Sequence, residues 1–265
     1  MHPLLNIAIR AARNAGEIIT RSVDRIDKLT IETKAANDFV SEVDKKAEAE
    51  IIETVFKAYP EHGIIAEESG VQKGNDYTWI IDPLDGTTNF LHGFPQFAVS
   101  IAVKNKDRLE HAVVYDPMRD ELFTASRGAG AQLNNKRIRV TPQVKLNGAL
   151  LGTGFPYSNM KYLDPYMGML KSLISNTAGI RRPGSAALDL AYVAAGRIDG
   201  FWELDLKCWD IAAGALLIQE AGGLVGDLMG NNNYLDSGHI VCANPKLFKA
   251  LLQEIRPHLT EELKC

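Results

Sequence analysis

The spacing of apolar residues changes along the chain, and this change restricts the fold more than any other feature of the sequence. Apolar residues from Leu4 to Ile18 recur every three or four positions, which predicts a first helix from about Pro3 to Ser22. A second helical pattern starts near Asp38, a residue type that caps helices, and stops before Pro60. Between residues 64 and 125 the pattern becomes a series of short apolar runs, which is typical of strands.

The apolar runs of the middle region predict strands of a largely antiparallel sheet. They cover Ile64–Ala66, Trp79–Ile81, Phe97–Val103, His111–Tyr115 and Glu121–Ala125. The second half returns to helical spacing, with helices predicted at Tyr166–Ser175, Ser185–Ala195 and Asp210–Glu220, and a last helix that ends near Pro257. Short strands are predicted at Leu224–Val225 and His239–Cys242. The helix from Ser185 is apolar on nearly every side, so we expect it to be buried.

Blocks of strand and helix alternate without a repeat or a low-complexity linker. A chain of 265 residues is long enough for one large domain or for two subdomains that share a core. We therefore expect an α/β (α+β) fold made of helix and sheet layers in a single unit. Its approximate subdomains are residues 1–145 and 146–265.

The composition excludes some classes of function. A formal net charge of −4 gives no support to a protein that binds nucleic acid over its whole surface, although a local basic patch is compatible with it. No apolar run reaches the roughly 18 residues that a membrane span needs. The N-terminus lacks the features of a signal peptide, so the sequence favours a cytoplasmic protein. Three widely spaced cysteines suggest neither a disulfide framework nor a thiolate metal site.

The segment Asp82–Thr88 is the strongest candidate for chemistry. A buried strand, Trp79–Ile81, leads directly into it. Asp82 and Asp85 stand three residues apart across a turn that contains proline, and this spacing can aim two carboxylates and the Leu84 carbonyl at one point. Mg²⁺ prefers such oxygen ligands.

The residues that follow, Gly86, Thr87 and Thr88, can open a helix whose free N–H groups attract a phosphate. Glycine at the first position lets the backbone come close to such a ligand. The alternative is a surface turn, because Asp, Pro, Gly and Thr are all common turn residues. From this short segment alone both interpretations stay open.

Two further acidic positions could complete such a site. Glu67 follows the apolar run at Ile64–Ala66 and is the first residue of a Glu-Glu-Ser triplet, for which a solvated pair of glutamates is the alternative. Asp210 starts an otherwise apolar helix, for which a capping role worth about 1 kcal/mol is the alternative. The chain lacks the GxxxxGK[ST], HExxH and GxSxG motifs, and the glycines at 128 and 130 are interpreted as a turn. Any phosphate chemistry would therefore use carboxylates, hydroxyls and a metal ion.

Four motifs together give the chain a family resemblance. Glu67–Ser69, Trp79–Phe90, Gly184–Ala187 and Trp209–Gly214 resemble the inositol monophosphatase family, and the likeness covers essentially the whole chain. Met1–Ala8 and Arg181–Leu190 look like the bacterial SuhB-type members of that family. The resemblance implies a layered αβαβα sandwich, a homodimer, and a phosphatase that uses two or three Mg²⁺ ions.

The resemblance also implies roles for individual residues. Glu67, Asp82 and the Leu84 carbonyl would hold a first Mg²⁺, and Asp82, Asp85 and Asp210 a second, with Glu67 also near a third. Asp44 and Thr87 would orient the attacking water, and Glu67 would be catalytic as well as a metal ligand. Gly86 and Thr87 would bind the phosphate through backbone N–H groups. The substrate would border Glu67, Leu84, Asp85, Gly86, Thr87, Arg181, Gly184, Ala186, Glu203 and Asp210.

The implied reaction is hydrolysis of inositol monophosphate by direct attack of water. Related families act on fructose-1,6-bisphosphate, 3′-phosphoadenosine 5′-phosphate, NADP(H) or histidinol phosphate, and the metal motif does not distinguish these substrates. A second alternative is a binding role, because SuhB-type proteins are linked to the transcription antitermination machinery of ribosomal RNA operons. A third is an inactive family member, which the intact carboxylate set disfavours.

Overall fold

The computed structural model describes residues 2–26, 31–35, 38–157 and 159–264, and it leaves the side chains of residues 31–40 undescribed. The helices are α1 (Pro3–Val23), α2 (Glu42–Ala58), α3 (Thr87–Leu91), α4 (Leu163–Asn176), α5 (Ala186–Ala194), α6 (Cys208–Glu220), α7 (Tyr234–Ser237) and α8 (Pro245–Ile255). Short 3-10 turns lie at Met160–Tyr162, Arg256–His258 and Glu261–Lys264.

Most strands belong to one of two larger sheets. The strands are β1 (Ile31–Ala35), β2 (Asp38–Ser41), β3 (Gly63–Ala66), β4 (Gly70–Gln72), β5 (Tyr77–Asp85), β6 (Ala98–Asn105), β7 (Arg108–Asp116), β8 (Glu121–Ser126), β9 (Gly130–Leu133), β10 (Lys136–Arg137), β11 (Leu150–Thr153), β12 (Gly179–Arg181), β13 (Gly200–Glu203), β14 (Leu224–Gly226) and β15 (Ile240–Ala243). The first sheet has the order β10-β9-β8-β7-β6-β5-β3-β4, and the second has the order β12-β11-β13-β15-β14. β1 and β2 form a separate antiparallel pair.

The predicted antiparallel character of the middle region is confirmed. In the eight-stranded sheet the pairs are antiparallel, apart from β3 and β5, which run parallel. In the five-stranded sheet β11 runs parallel to both β12 and β13. The sequence did not predict β11, β12 or β13, because these strands are three or four residues long and carry glycines that give no alternating pattern.

Three apolar clusters hold the elements in layers. Residues of α1 and α2 pack against one face of the eight-stranded sheet. Residues of α5 and α6 fill the space between its other face and the five-stranded sheet. Residues of α4 and α8 cover the remaining face of the second sheet. The resulting order is helix, sheet, helix, sheet, helix, which is the αβαβα arrangement that was expected.

The predicted start of the second helix was wrong by four residues. Asp38 lies in β2, and α2 begins only at Glu42. Ser41 is the N-cap, since its side chain accepts a hydrogen bond from the Val43 N–H at 3.1 Å. Asp44 completes the capping box by accepting the Ser41 N–H at 2.9 Å. This reciprocal pair satisfies two backbone donors at the helix end, and it fixes the boundary more strongly than an isolated aspartate would.

The middle helix layer is apolar on all sides, as the sequence predicted for α5. Eight residues of α6, Ile211 through Ile218, are buried in succession. This helix was expected to start at Asp210, but it begins at Cys208 with Lys207 as its N-cap. The Asp210 carboxylate accepts the Lys207 N–H at 2.7 Å, so Asp210 lies in the first turn rather than before it. Among the described helices, none has both the length and the apolar character to cross a membrane.

The glycines at 128 and 130 form a turn between β8 and β9, as the sequence analysis interpreted them. The Glu220 carboxylate at the end of α6 accepts the N–H groups of Gly128 and Gly130, each at 2.8 Å. These backbone donors are therefore already paired with an acidic side chain of the protein.

Candidate metal and phosphate site

Three carboxylates from distant parts of the chain meet at the end of β5. Oxygen atoms of Asp82, Asp85 and Asp210 all lie within 4.8 Å of one another. Asp82 and Asp85 belong to β5, and Asp210 belongs to the first turn of α6. The structure thus brings together three of the four acidic residues that the sequence suggested as metal ligands.

A bulge in β5 aims two of these carboxylates at one side. Asp82 pairs with Ser100 of β6 and Asp85 pairs with Ala98, so the register shifts between them. The Asp82 side chain accepts the Leu84 N–H at 2.9 Å, which holds the bulge. The Ser100 hydroxyl donates to the Trp209 carbonyl at 3.1 Å and so fixes the start of α6 beside the bulge.

Burial raises the pKa values of all three carboxyl groups, and neighbouring negative charges add to the effect for Asp82 and Asp210. Burial raises the pKa of Asp82 well above its ordinary value, and the charges of Glu67, Asp85 and Asp210 add to the effect. Burial, with the charge of Asp85, raises the pKa of Asp210 to about 7. Burial also raises the pKa of Asp85 to about 6, although the Ser185 hydroxyl and two backbone N–H groups oppose the increase. Without a cation, the cluster is therefore costly to keep ionised.

The chemistry of this donor set fits a hard divalent cation. Carboxylate oxygens within one ion's reach are the ligands that Mg²⁺ takes, and a bound cation reverses the mutual repulsion of the acids. The two partly exposed members, Asp85 and Asp210, leave one side of the cluster open to solvent. Residues present here thus suit a metal site that also admits a substrate.

Glu67 lies beside the cluster at the end of β3. Its N–H donates to the Ile81 carbonyl of β5 at 3.2 Å, and its charge acts on Asp82. The turn that carries it is held by Glu48 of α2, a buried residue that the sequence analysis did not single out. The Glu48 carboxylate accepts the Glu68 N–H at 2.8 Å and the Ser69 N–H at 2.7 Å.

The candidate phosphate loop starts at Gly86, which adopts a left-handed conformation with φ of +97°. A Cβ here would lie 2.9 Å from the Gln96 carbonyl oxygen and 3.2 Å from the Gly184 carbonyl oxygen. Glycine is therefore required both by the backbone angle and by the close approach of two other segments. The contact with residue 184 places the predicted substrate-side motif against the predicted phosphate loop.

Thr87 links the loop to the capping box of α2. Its hydroxyl lies 2.9 Å from the Asp44 carboxylate and 3.1 Å from the Leu84 carbonyl oxygen, both of which can only accept. Asp44 also accepts the Ser41 hydroxyl at 2.5 Å. Burial raises the pKa of Asp44, while these hydrogen bonds oppose the shift. The structure therefore brings together the two residues that were expected to orient water.

Asn89, which lies in the Trp79–Phe90 motif, connects α3 to two other backbone segments. Its side-chain amide is 2.7 Å from the Gln96 carbonyl, 2.9 Å from the Pro183 carbonyl and 3.1 Å from the Gly184 carbonyl. No role for Asn89 was predicted from the sequence. Its neighbours show that it fixes the turn at 183–184 relative to the phosphate loop.

The start of α5 is bound directly to one of the carboxylates. The Ser185 hydroxyl donates to Asp85 at 2.5 Å, and the Ala187 N–H donates to the same oxygen at 2.8 Å. Ala186 lies between them, and its backbone also lowers the pKa of Asp85. Gly184 and Ala186, both predicted to border the substrate, are thus chain neighbours of residues that bond to Asp85.

Glu203, which was expected to contact the substrate, lies at the end of β13. Burial and the charge of Asp210 raise its pKa to about 8, while the charge of Arg182 lowers it. A Cβ on Gly154 would overlap the Glu203 carboxylate, so glycine at 154 makes space for this side chain.

The two neighbouring arginines have different surroundings. The Arg181 guanidinium lies along its own strand and donates to the Ile180 carbonyl at 3.2 Å. The Arg182 guanidinium stacks 5.3 Å from the Phe155 ring and 5.1 Å from the Tyr157 ring. Its charge also acts on Glu203. Of the two arginines, Arg182 is therefore the one whose charge acts on the Glu203 carboxylate.

Comparisons with known proteins place the chain among related sequences and structures. A family model described as the inositol monophosphatase family matches residues 1–260. The Nus factor SuhB of Pseudomonas aeruginosa is 59% identical over 270 residues and covers 100% of both chains. Among solved structures, the extragenic suppressor protein suhB of Bartonella henselae is 42% identical with a TM-score of 0.94, covering 97% of this chain and 100% of that one. An inositol monophosphatase from Anabaena is 37% identical with a TM-score of 0.85, covering 96% and 95%.

Proposed function

The chain belongs to the inositol monophosphatase family, and from this premise we propose that it is a Mg²⁺-dependent phosphatase that hydrolyses inositol monophosphate. The observation that carries the proposal is the cluster of Asp82, Asp85 and Asp210, whose oxygens lie within 4.8 Å of one another beside the Gly86–Thr87 loop. A metal site and a candidate phosphate site thus share one short segment.

Asp82, Asp85 and Asp210, with Glu67 and the Leu84 carbonyl, would hold the ions. When bound, Mg²⁺ supplies activation of water and neutralises negative charge on the phosphate oxygens. Asp85 keeps its position through Ser185 and the start of α5. This contact would hold the Asp85 carboxylate in position before any substrate arrives.

The residues around Thr87 would position the attacking water. Because the Thr87 hydroxyl donates to Asp44 or to the Leu84 carbonyl, its oxygen lone pairs are free to accept a proton of that water. The backbone N–H groups of Gly86 and Thr87 would bind the phosphate oxygens and stabilise charge in the transition state. We propose direct attack by water, so a substrate chiral at phosphorus should give inversion. Retention would contradict a single displacement.

The substrate-side residues favour a compound with hydroxyl groups. With its pKa raised to about 8, the Glu203 carboxyl is mostly protonated at neutral pH, so it can both donate and accept hydrogen bonds with a polyol. The charge of Arg182 acts in the opposite direction to burial and favours the ionised form of Glu203. Fructose-1,6-bisphosphate, 3′-phosphoadenosine 5′-phosphate, NADP(H) and histidinol phosphate remain alternative substrates.

A phosphate-release assay over this panel, with and without Mg²⁺, tests the proposal. We expect release from inositol monophosphate that requires Mg²⁺ and that falls by at least about 1,000-fold in Asp210→Asn, because one charged ligand is lost. Asp236→Asn is a matched control on α7, where the carboxylate is exposed. Absence of release from every member of the panel in Mg²⁺ would contradict an enzymatic role.

A second candidate function is a binding role in the transcription antitermination machinery. The observation that favours it is the name Nus factor SuhB of the relative that is 59% identical over the full length. The Asp82→Asn variant separates the two functions, because it removes a metal charge and leaves the surface unchanged. A cellular phenotype that survives this variant would assign the phenotype to binding, whereas its loss would assign it to catalysis.

The remaining expectations concern the state of the protein in the cell. We propose that the chain is cytoplasmic and assembles as a homodimer, as its family resemblance implies. Sedimentation equilibrium of the full chain tests the assembly, and a mass of a single chain at micromolar concentration would contradict it.

A further inference from the structure

A cavity lies at one end of the eight-stranded sheet, and this end is far from the carboxylate cluster. It measures about 660 Å³ and opens between the start of α1, the start of β5 and the β7–β8–β9 edge. Tyr77, which lines it, is five residues before Asp82 on β5, a separation of roughly 17 Å along an extended strand. This cavity is therefore distinct from the proposed active site.

The side chains that line the cavity carry one more positive than negative charge, and the Glu220 carboxylate beside them is occupied by backbone N–H groups. Arg108, Glu110 and Arg127 are the fully charged side chains that line it in the described part of the chain. Glu110 is paired with Arg108, whose Nε lies 2.6 Å from a carboxylate oxygen. The Arg127 Nε donates to the Leu109 carbonyl at 2.5 Å, which holds the guanidinium group at the edge of the cavity. One guanidinium is thus left without a carboxylate among these lining residues.

Two stacked imidazoles form another wall. The rings of His2 and His111 lie 4.3 Å apart between centroids. The His2 Nδ1 accepts the Leu4 N–H at 3.2 Å, so the neutral ring carries its proton on Nε2 and can donate from there. His111 is buried, and its Nδ1 lies 2.8 Å from the Ser126 hydroxyl. Within the described residues, no hydrogen bond involves the Nε2 atom of either ring.

The first turn of α1 adds a positive electrostatic contribution. Leu4 and Leu5 line the cavity, so the N-terminal end of a 21-residue helix faces it. The N-terminus of a helix carries about half a positive charge, which favours an anion. The first residues, Met1–Ala8, are one of the two SuhB-type segments of the sequence, and the proposed hydrolysis uses none of them.

We propose that this cavity binds a small phosphorylated compound, whose phosphate is held between Arg127, Arg108 and the two imidazoles. A phosphate offers several acceptor oxygens to donors from different directions, which suits donors that come from α1, β7 and the turn after β8. The hydroxyls of Thr124 and Ser126 provide further polar contacts, and the volume leaves space for an organic part of the ligand.

The test uses the full chain, freed of metal by a chelator, with inorganic phosphate as the probe. Ring signals of His2 and His111 are followed by NMR as phosphate replaces chloride at constant ionic strength. We expect both signals to shift with saturation, and the pKa of His111 to rise from about 4, where burial and the charge of His2 hold it, because an anion favours the charged ring.

Variants separate this cavity from other phosphate sites. Arg127→Ala should weaken phosphate binding by about tenfold, since a charge-assisted hydrogen bond is lost. Lys249→Ala, which removes the same charge from the exposed face of α8, should leave it unchanged. His111→Gln assigns the His111 signal and serves as a second variant. Histidine signals that do not shift, or an affinity equal in Arg127→Ala and wild type, would overturn the proposal.

Discussion

Gly86 shows how a single residue can decide both stability and chemistry. We expect Gly86→Ala to abolish detectable phosphate release and to lower the free energy of unfolding by about 2–4 kcal/mol, because strain at positive φ adds to a collision with the Gln96 carbonyl. Gly93→Ala is the control, because residue 93 has φ of +66° but open space around its Cα. It should lose only the cost of the strain, about 1 kcal/mol. Equal losses measured by urea denaturation would show that the collision is unimportant.

Substitution of Glu48 should change the affinity for Mg²⁺ more than the stability of the protein. Its two carboxylate oxygens hold the turn after Glu67, and an amide in their place would face one N–H with another donor. We expect Glu48→Gln to raise the Mg²⁺ concentration for half-maximal activity by about tenfold, as for other residues that orient metal ligands. Glu53→Gln, on the exposed side of the same helix, should not change it. An unchanged Mg²⁺ dependence in Glu48→Gln would contradict the positioning role.

These residues also show what a sequence can predict about a site. Asp82 and Asp85 were predicted because both lie in one short motif and because carboxylates have a specific use. Glu48 and Asn89 act through backbone groups of segments that are distant in sequence, so their residue type alone gave no sign of it. One signal was available for Glu48, which stands one helical turn after Asp44 and so on the same face of α2.

At the scale of an element, the N-terminus of α2 joins helix capping to the proposed reaction. Ser41→Ala removes the hydroxyl that donates to Asp44 and that accepts the Val43 N–H. We expect a loss of about 1 kcal/mol in the free energy of unfolding. The pKa of Asp44 should rise further, because hydrogen bonds to its charged form lower it. As the pH falls, the ionised form is then lost at a higher pH than in wild type. The acidic limb of the pH–rate profile should therefore shift to higher pH.

The N-cap of α8 provides the comparison for this prediction. Asn244 accepts the N–H groups of Lys246 and Leu247, and its amide also donates to two distant carbonyls, so Asn244→Ala should cost at least as much free energy of unfolding. It lies away from Asp44 and should leave the pH profile of hydrolysis unchanged. If both variants moved the acidic limb equally, a general loss of stability would explain the shift in Ser41→Ala.

Element boundaries were predicted well where the local apolar spacing defines them. They were predicted poorly where contacts with another strand or a reciprocal capping bond define them. The apolar spacing gave α1, α5 and α8 within a few residues. The strand β12 is formed only because β11 lies beside it, and nothing in the segment Gly179–Arg181 predicts that neighbour. The start of α2 was misplaced because both Asp38 and Ser41 are good caps, and only the reciprocal bond with Asp44 distinguishes them.

At the scale of the whole molecule, the carboxylate cluster connects β5 of one sheet to α6 of the central layer. We expect Mg²⁺ at about 100 times its dissociation constant to raise the free energy of unfolding by about 2.7 kcal/mol. Asp82→Asn should lose this gain, yet unfold at a higher temperature than wild type when both are free of metal, because burial disfavours the charged Asp82. Scanning calorimetry with and without a chelator measures both effects. A metal-free variant less stable than wild type would contradict the idea that burial and the neighbouring negative charges make ionised Asp82 unfavourable.

The layered arrangement itself was expected only through the family resemblance, since periodicity gave layers but not their order. Which sheet face receives α5 and α6 depends on the total shape of three apolar clusters, and this shape is a property of all the elements together. The sequence could therefore name most of the elements, whereas packing determined how they are stacked.

Two acidic residues of the proposed metal site, Asp210 and Glu67, lie in segments that should unfold on different timescales. Asp210 belongs to α6, whose amides are enclosed by both sheets and should exchange with deuterium only when the whole protein unfolds. Glu67 belongs to the turn before β4, which is the last strand at one edge of its sheet and should open locally at a smaller free energy. A bound ion could then leave through the Glu67 side while the rest of the protein stays folded. The rate of metal exchange would be governed by this local opening, and not by global unfolding.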